Sequence, residues 1–161
     1  MINNFRNEYF FLSNFYPCEI TYDNITYPSV EHYYVAHKSN TTQIINNKSL
    51  SDIEYKKYIS SVKNASFVKK IGSDIKIRSD WENIKKEVMY NGLKIKFEDD
   101  ILKNKLKDTK ELYIKENNLW HDNFYGSCIC SKCNDKGKNI LGKLLMKIRK
   151  ELNEPNKGII I

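Results

Sequence analysis

The sequence predicts a mainly helical α+β fold, a single compact domain over residues 1–161 with a small antiparallel β-hairpin and a core at about residues 5–152. Three observations carry this. The chain has 161 residues, enough for one core that buries roughly 70% of the unfolded surface. Several stretches repeat their apolar residues at the helical period, and one short stretch near the N-terminus alternates at the strand period.

In chain order, Glu19 to Tyr27 places two β-branched segments around Asp23-Asn24, a pair that tolerates the positive φ of a hairpin turn. Pro28 suits a first helical position and Glu31 a first turn, so the spacing predicts a helix from Pro28 to about Lys38. Asn46 to Ser51 reads as a polar joint. Ser51-Asp52-Ile53-Glu54 is a capping box opening a second helix, and Ser66 is read as the cap of a short third helix ending at Gly72. Asp80 caps a long helix whose Trp81, Ile84, Val88 and Ile95 share a stripe with Gly92. A short helix follows near Asp100 to Leu106, and Leu112-Tyr113-Ile114 alternates like a strand. The last helix, Asn139 to Asn153, presents Leu141, Leu144, Leu145, Ile148 and Leu152 on one face. Pro155 and Gly158 stop it, leaving residues 153–161 as a short tail that ends in Ile159-Ile160-Ile161.

Composition narrows the function. The formal charge is +7, but 24 lysines accompany only Arg6, Arg78 and Arg149. Nucleic-acid readers favour arginine for bidentate contacts, so the charge is weak support for such a partner. No apolar run reaches the roughly 18 residues of a membrane span, and Met1 to Tyr9 lacks a signal-peptide pattern; no membrane partner and a cytoplasmic location are expected. Phosphate-loop, dinucleotide, serine-hydrolase and zincin motifs are absent from the sequence, which removes those enzyme classes.

Four constellations could carry chemistry. Glu31 and Lys38, seven apart on the predicted helix, share a face with roughly 10 Å of rise between them. A carboxylate there could stabilise an oxocarbenium-like state or orient water, and a desolvated lysine could attack a sugar aldehyde. By spacing alone, two solvated charges are the commoner reading. His32 and His37 flank the pair at a spacing that does not suit a helical metal site, and a lone histidine is more often structural than a general base. Cys128, Cys130 and Cys133, with His121 or Cys18 as a fourth ligand, resemble half of a structural zinc site; reduced thiols are the alternative. Finally, Tyr9-Phe10-Phe11, Phe15-Tyr16 and Trp120 to Gly126 mix rings with amides and a carboxylate, suited to stacking on a base, although most single rings belong to cores.

Taken in order, several blocks resemble the NADAR (NAD and ADP-ribose) superfamily, which includes YbiA-like N-glycosidases: residues 11–17, 27–33 with Ala36 and Lys38, 77–82 with Val88-Met89 and Lys96-Phe97, then Asp122, Gly126 and 139–146 with Arg149. The resemblance implies a compact, mainly helical α+β domain that cleaves the N-glycosidic bond between a ribose and a base. The substrates it implies are phosphoribosylamino-pyrimidine intermediates of riboflavin synthesis. ADP-ribose attached to guanine in nucleic acid is the alternative, and a binding module without turnover is a third. It makes Glu31 and Lys38 the catalytic pair and lines the pocket with Asn14, Asp122 and Asn139, with Arg78 or Arg149 facing a phosphate, while Trp120, Tyr125 and Gly126 of the aromatic segment are expected to contact the substrate. The partner is then a small ribosylated base or nucleotide, and catalysis requires no cofactor. Tyr125-Gly126 stands where the family often has Trp-Gly, which alters the width of an aromatic face.

Overall fold

The computed structural model describes residues 1–154; the predicted helix stop at Pro155 and Gly158 and the isoleucine tail lie outside the described residues. The chain is mixed, with six α-helices, a 3-10 helix at Asn7–Leu12 and three two-stranded sheets among the described residues. It divides into two compact units: Asn14–Lys96, and Met1–Ser13 together with the chain from Phe97 onward.

The Asn14–Lys96 unit begins with the predicted hairpin, β1 (Ile20–Tyr22) paired antiparallel with β2 (Ile25–Tyr27). Asp23 and Asn24 both take positive φ in its turn, as the tight turn demands. Helix α1 runs over Val30–Ala36 and is shorter than the sequence predicts. Its N-cap is Ser29, whose hydroxyl accepts from the His32 N–H, so Pro28 stands before the helix rather than in its first turn. The far end is capped at His37, which leaves Lys38 beyond the helix.

A second hairpin, β3 (Gln43–Ile45) with β4 (Lys48–Leu50), occupies what reads in sequence as a polar joint. Its turn residues Asn46 and Asn47 repeat the positive φ of the first hairpin. Helix α2 (Asp52–Ser61) opens on the predicted capping box, with Ser51 and Glu54 satisfying each other's backbone N–H groups. Helix α3 (Ala65–Asp74) is capped by Asn64, whose side chain accepts from Ser66 and Phe67 N–H. Asn64 therefore takes the role expected of Ser66, because it is the last extended residue before the helical turn.

Helix α4 (Trp81–Lys96) buries Trp81, Met89, Gly92, Leu93 and Lys96, while Ile84, Val88 and Ile95 are only half-buried. The inward stripe is thus rotated from the predicted one. Helix α1 packs against α2, α3, α4 and β2, and all seven of its residues are buried. A helix surrounded in this way has no solvated face.

The other unit pairs α5 (Asp100–Asp108, capped by Asp99) with α6 (Ile140–Asn153). On α6 the predicted face is buried at Leu141, Leu145 and Ile148. The segment Leu112-Tyr113-Ile114 is not a strand: only Ile114 makes a bridge, parallel to Ile2, and Leu112 and Tyr113 are exposed. A two-residue parallel pair, β5 (Asn117–Asn118) with β6 (Ser127–Cys128), completes the unit. Among the described residues, no helix is long and apolar enough to cross a membrane.

Candidate functional site

The Asn14–Lys96 unit collects the strongest chemistry around α1. Glu31 is buried, at 7% exposure, so the solvated-charge reading of this residue does not hold. Its position in the first turn of α1 places the carboxylate at the positive end of the helix dipole, which compensates part of the desolvation cost. Its backbone N–H donates to the carbonyl of Asn14 at 3.0 Å. Asn14 turns its Nδ2 toward the Met89 sulfur, while its Oδ1 is buried and unpartnered. An orphaned acceptor of this kind is costly unless a water or ligand hydroxyl meets it.

Lys38 is half-buried just past α1. Its Nζ donates to the Gly72 carbonyl at 3.3 Å and lies 5.7 Å from the centre of the Tyr34 ring. Gly72 stands in the last turn of α3, where carbonyls lack an intrahelical donor, so that carbonyl is available to a lysine. A Cβ at Gly72 would sit 2.9 Å from Val35 Cγ1, so the missing side chain lets α3 approach α1. Burial lowers the Lys38 pKa, and the neighbouring positive charges of Lys69 and Lys85 lower it further, while the Glu31 carboxylate raises it. Lys38 is therefore an amine pushed toward its neutral, nucleophilic form, with a carboxylate in electrostatic range.

The backbone that carries Lys38 is braced. The Arg78 N–H donates to the Lys38 carbonyl at 2.9 Å, and the Gln43 amide exchanges two hydrogen bonds with Lys76. This places Arg78 next to the lysine segment, with its guanidinium forked onto Asp80 at 2.6 and 3.0 Å. Asp80 thus starts α4 through its main-chain carbonyl and spends its carboxylate on Arg78. Tyr34 packs on Trp81, ring centres 4.9 Å apart. Tyr34, Lys69 and Lys85 were not legible as site residues; their only sequence signal is helical spacing, which core and surface residues share.

Both histidines flanking the pair are structural. His32 receives the Ser29 hydroxyl at Nδ1 and directs Nε2 to the Val62 carbonyl, each at 2.7 Å. His37 directs Nδ1 to the Tyr33 carbonyl at 2.7 Å. Burial lowers both pKa values, which keeps the imidazoles neutral at neutral pH.

The remaining predicted residues fall in the other unit. Asp122 Oδ1 accepts from the N–H groups of Phe124 and Tyr125, both at 3.0 Å, which makes a turn capped by its own first residue. The Tyr125 ring packs edge-on against Phe124, and Trp120 is exposed. A Cβ on Gly126 would come within 2.7 Å of the Glu116 carbonyl and the Asn118 amide, so this glycine permits close chain packing. Asn139 gives its amide to the main chain, accepting from Glu116 N–H and donating to the Ile114 carbonyl. Arg149 is buried and donates to Thr109 Oγ1 and the Leu112 carbonyl. The structure ties these last two side chains to backbone.

The cysteine loop also organises. His121 Nδ1 lies 3.3, 3.6 and 3.7 Å from the sulfurs of Cys133, Cys130 and Cys128. These four residues form a cluster able to hold a metal ion, with His121 rather than Cys18 as the fourth member. Cys18 belongs to the Asn14–Lys96 unit, near Lys96. The backbone N–H of Cys133, together with the Cys128 thiol, holds the Cys130 thiol down, to about 6.

Comparison with known proteins adds identity to this geometry. The chain matches the NADAR domain family over residues 2–153, which runs through both units. It is 31% identical to the N-glycosidase YbiA of Escherichia coli K12, over 91% of this chain and 83% of that protein. The NMR structure of the E. coli protein YbiA superimposes with a TM-score of 0.74, covering 94% of this chain and 84% of that one. Two larger relatives are the riboflavin biosynthesis protein VVA0006 of Vibrio vulnificus, 31% identical, and the chloroplastic riboflavin biosynthesis protein PYRR of Zea mays, 34% identical. The chain aligns with 89% and 87% of its own length to these two, but spans only 36% and 23% of theirs. With the family matched along almost its whole length, the chain belongs to the NADAR domain family.

Proposed function

We propose that this chain is an N-glycosidase that hydrolyses the bond between a ribose phosphate and the nitrogen of a base, with Glu31 and Lys38 as its catalytic pair. The observation that carries the reading is the burial of the Glu31 carboxylate within electrostatic range of a desolvated Lys38 amine. An amine driven toward its neutral form beside a buried carboxylate has the electrostatics of a catalytic pair.

In the reaction, the neutral Lys38 Nζ adds to C1′ of the ring-opened ribosylamine. The base leaves as its free amine, with Glu31 delivering the proton that the departing nitrogen takes up. Water then adds to the Lys38–C1′ Schiff base, releasing the sugar aldehyde and returning the amine. The sum is one N-glycosidic bond and one water consumed, one base and one sugar formed. A direct attack by water oriented on Glu31 uses the same residues with Lys38 holding a hydroxyl or phosphate. Neither route needs a cofactor. The unpartnered Asn14 Oδ1 accepts a ribose hydroxyl, and Arg78, adjacent to Lys38, serves the phosphate side. In this reading residues 1–161 work as one catalytic domain.

The preferred substrate is a phosphoribosylamino-pyrimidine of riboflavin synthesis, because relatives carry both the N-glycosidase and the riboflavin names. The enzyme then acts on a soluble small molecule in the cytoplasm. The test is release of free base from 5-amino-6-ribosylaminouracil 5′-phosphate and, separately, from an ADP-ribosylated guanosine oligonucleotide. Turnover of the pyrimidine is expected. Turnover of the oligonucleotide alone would transfer the chemistry to ADP-ribose removal, and tight nucleotide binding without turnover of either would make the chain a binding module.

A further inference from the structure

His121, Cys128, Cys130 and Cys133 take no step in the reaction above, yet they gather four soft donors about one point. We propose that His121, Cys128, Cys130 and Cys133 are the four ligands of a structural zinc ion. A tetrahedral zinc about 2.3 Å from each sulfur and about 2.0 Å from a ring nitrogen separates that nitrogen from each sulfur by roughly 3.6 Å. The observed separations are 3.3, 3.6 and 3.7 Å, and all four donor atoms lie within 4.8 Å of one another. Hydrogen bonding does not account for this. One imidazole nitrogen serves a single donor or acceptor direction, whereas here three sulfurs surround the same Nδ1 at nearly equal distances.

The donor set selects the metal. Three thiolates and an imidazole at tetrahedral spacing suit zinc rather than the oxygen-preferring cations, and four protein ligands leave no open position for substrate or activated water. The role is therefore structural.

The surrounding backbone is ordered for it. Cys128 N–H donates to Asn123 Oδ1, and the carbonyls of Cys128, Cys130 and Cys133 accept from Asp135, Asn134 and Lys136. The backbone of each of the three cysteines is thus held by hydrogen bonds within the loop. His121 itself sits at φ 65, a left-handed conformation that a non-glycine residue adopts at some cost, and a metal bond offsets that cost. Closing His121 onto Cys133 through the ion ties together the chain on both sides of Asp122, Tyr125 and Gly126. The loop's shape then depends on the metal rather than on an apolar core.

The experiment uses the full-length chain without a histidine tag, purified under reducing conditions, with metal content read by plasma mass spectrometry. About one zinc per chain is expected, retained in Cys18→Ser and lost in Cys133→Ser and His121→Ala. Because ligand variants can misfold, wild-type protein is also reconstituted with Co(II), and the intense visible bands of tetrahedral thiolate cobalt are expected. Wild-type protein free of zinc, a disulfide among the three cysteines, an octahedral cobalt spectrum, or zinc lost from Cys18→Ser would each overturn the proposal. All of these readouts are independent of turnover, so they stand or fall apart from the glycosidase reading.

Discussion

The carboxylate of Glu31, buried on α1, opposes the desolvation of Lys38, which lies seven residues later and beyond the end of that helix. Their proximity does not come from a shared helical face. It comes from the cap at His37, after which the chain turns and the lysine is anchored by the last-turn carbonyl of α3 at Gly72. The helix dipole and the amine together support a carboxylate that burial alone would disfavour.

This relationship has a direct consequence for titration. Glu31→Gln removes the carboxylate charge that raises the Lys38 pKa, while burial, Lys69 and Lys85 go on lowering it. The lysine pKa in the variant must therefore fall below that in the wild type. Carbon-13 NMR of reductively methylated protein reads the shift. An unchanged or higher Lys38 pKa in Glu31→Gln would separate the two residues electrostatically.

Ser29 serves two groups at once, capping α1 through the His32 N–H and holding the His32 ring through Nδ1. Ser29→Ala removes both, and His32 Nδ1 is then buried without a partner. A loss of about 2 kcal/mol is expected, summing a lost cap and an unsatisfied ring nitrogen. The check is the midpoint of urea unfolding; a change under a few tenths of a kcal/mol would contradict the assignment.

Asn139 and Gly142 lie together at the start of α6. Asn139→Gly keeps the left-handed backbone accessible but strands the Glu116 N–H and the Ile114 carbonyl, a loss of about 2 kcal/mol or more. A Cβ at position 142 would come 2.2 Å from the Ile114 carbonyl oxygen, so Gly142→Ala costs about 3 kcal/mol through forced backbone movement. Thermal unfolding distinguishes this reading from a pocket role: a pocket residue would alter KM and leave the unfolding temperature unmoved.

Lys96 is fully buried, its Nζ 5.4 Å from the centre of the Tyr16 ring, and burial lowers its pKa to about 8. Unfolding restores the ordinary value near 10.5. Between these two values the unfolded chain binds more protons than the folded one, so stability contributed by this group rises with pH across that window; below pH 8 the cost of burying the charge is present in full. The difference corresponds to roughly 3 kcal/mol. Lys96→Met is expected to be more stable than wild type at pH 7 and to lose the rise, as denaturant titrations at pH 7 and pH 10 would show. A parallel pH dependence in both proteins would contradict it.

Much of this architecture is written locally. The Ser51 capping box, the Asp23-Asn24 turn and the leucine face of α6 depend on near neighbours, and each forms where periodicity and turn chemistry place it. The β3–β4 hairpin is not legible although Asn46-Asn47 carries the same left-handed signal as Asp23-Asn24, because β4, Lys48–Leu50, has no β-branched residue and does not read as a strand. The two-residue β5–β6 pair is too short to show an alternation. Helix α1 defeats patterning for a different reason: it is wrapped on every side, so Glu31 and His32 are buried without a polar face to announce it. Residue type likewise does not separate an amide with an open acceptor from one that is fully engaged. Asn14 retains an unpartnered oxygen, whereas Asn139 spends both ends of its amide on backbone, and only tertiary contacts tell them apart.

The most direct test of the central claim is single-turnover cleavage of 5-amino-6-ribosylaminouracil 5′-phosphate by wild type, Lys38→Ala and Glu31→Gln, each first shown to unfold at a similar temperature. The account predicts base release by wild type and a fall of at least about a hundredfold in both variants, the scale of a lost acid–base or nucleophilic group. Wild-type turnover that survives in either folded variant would show that the reaction is carried by other residues.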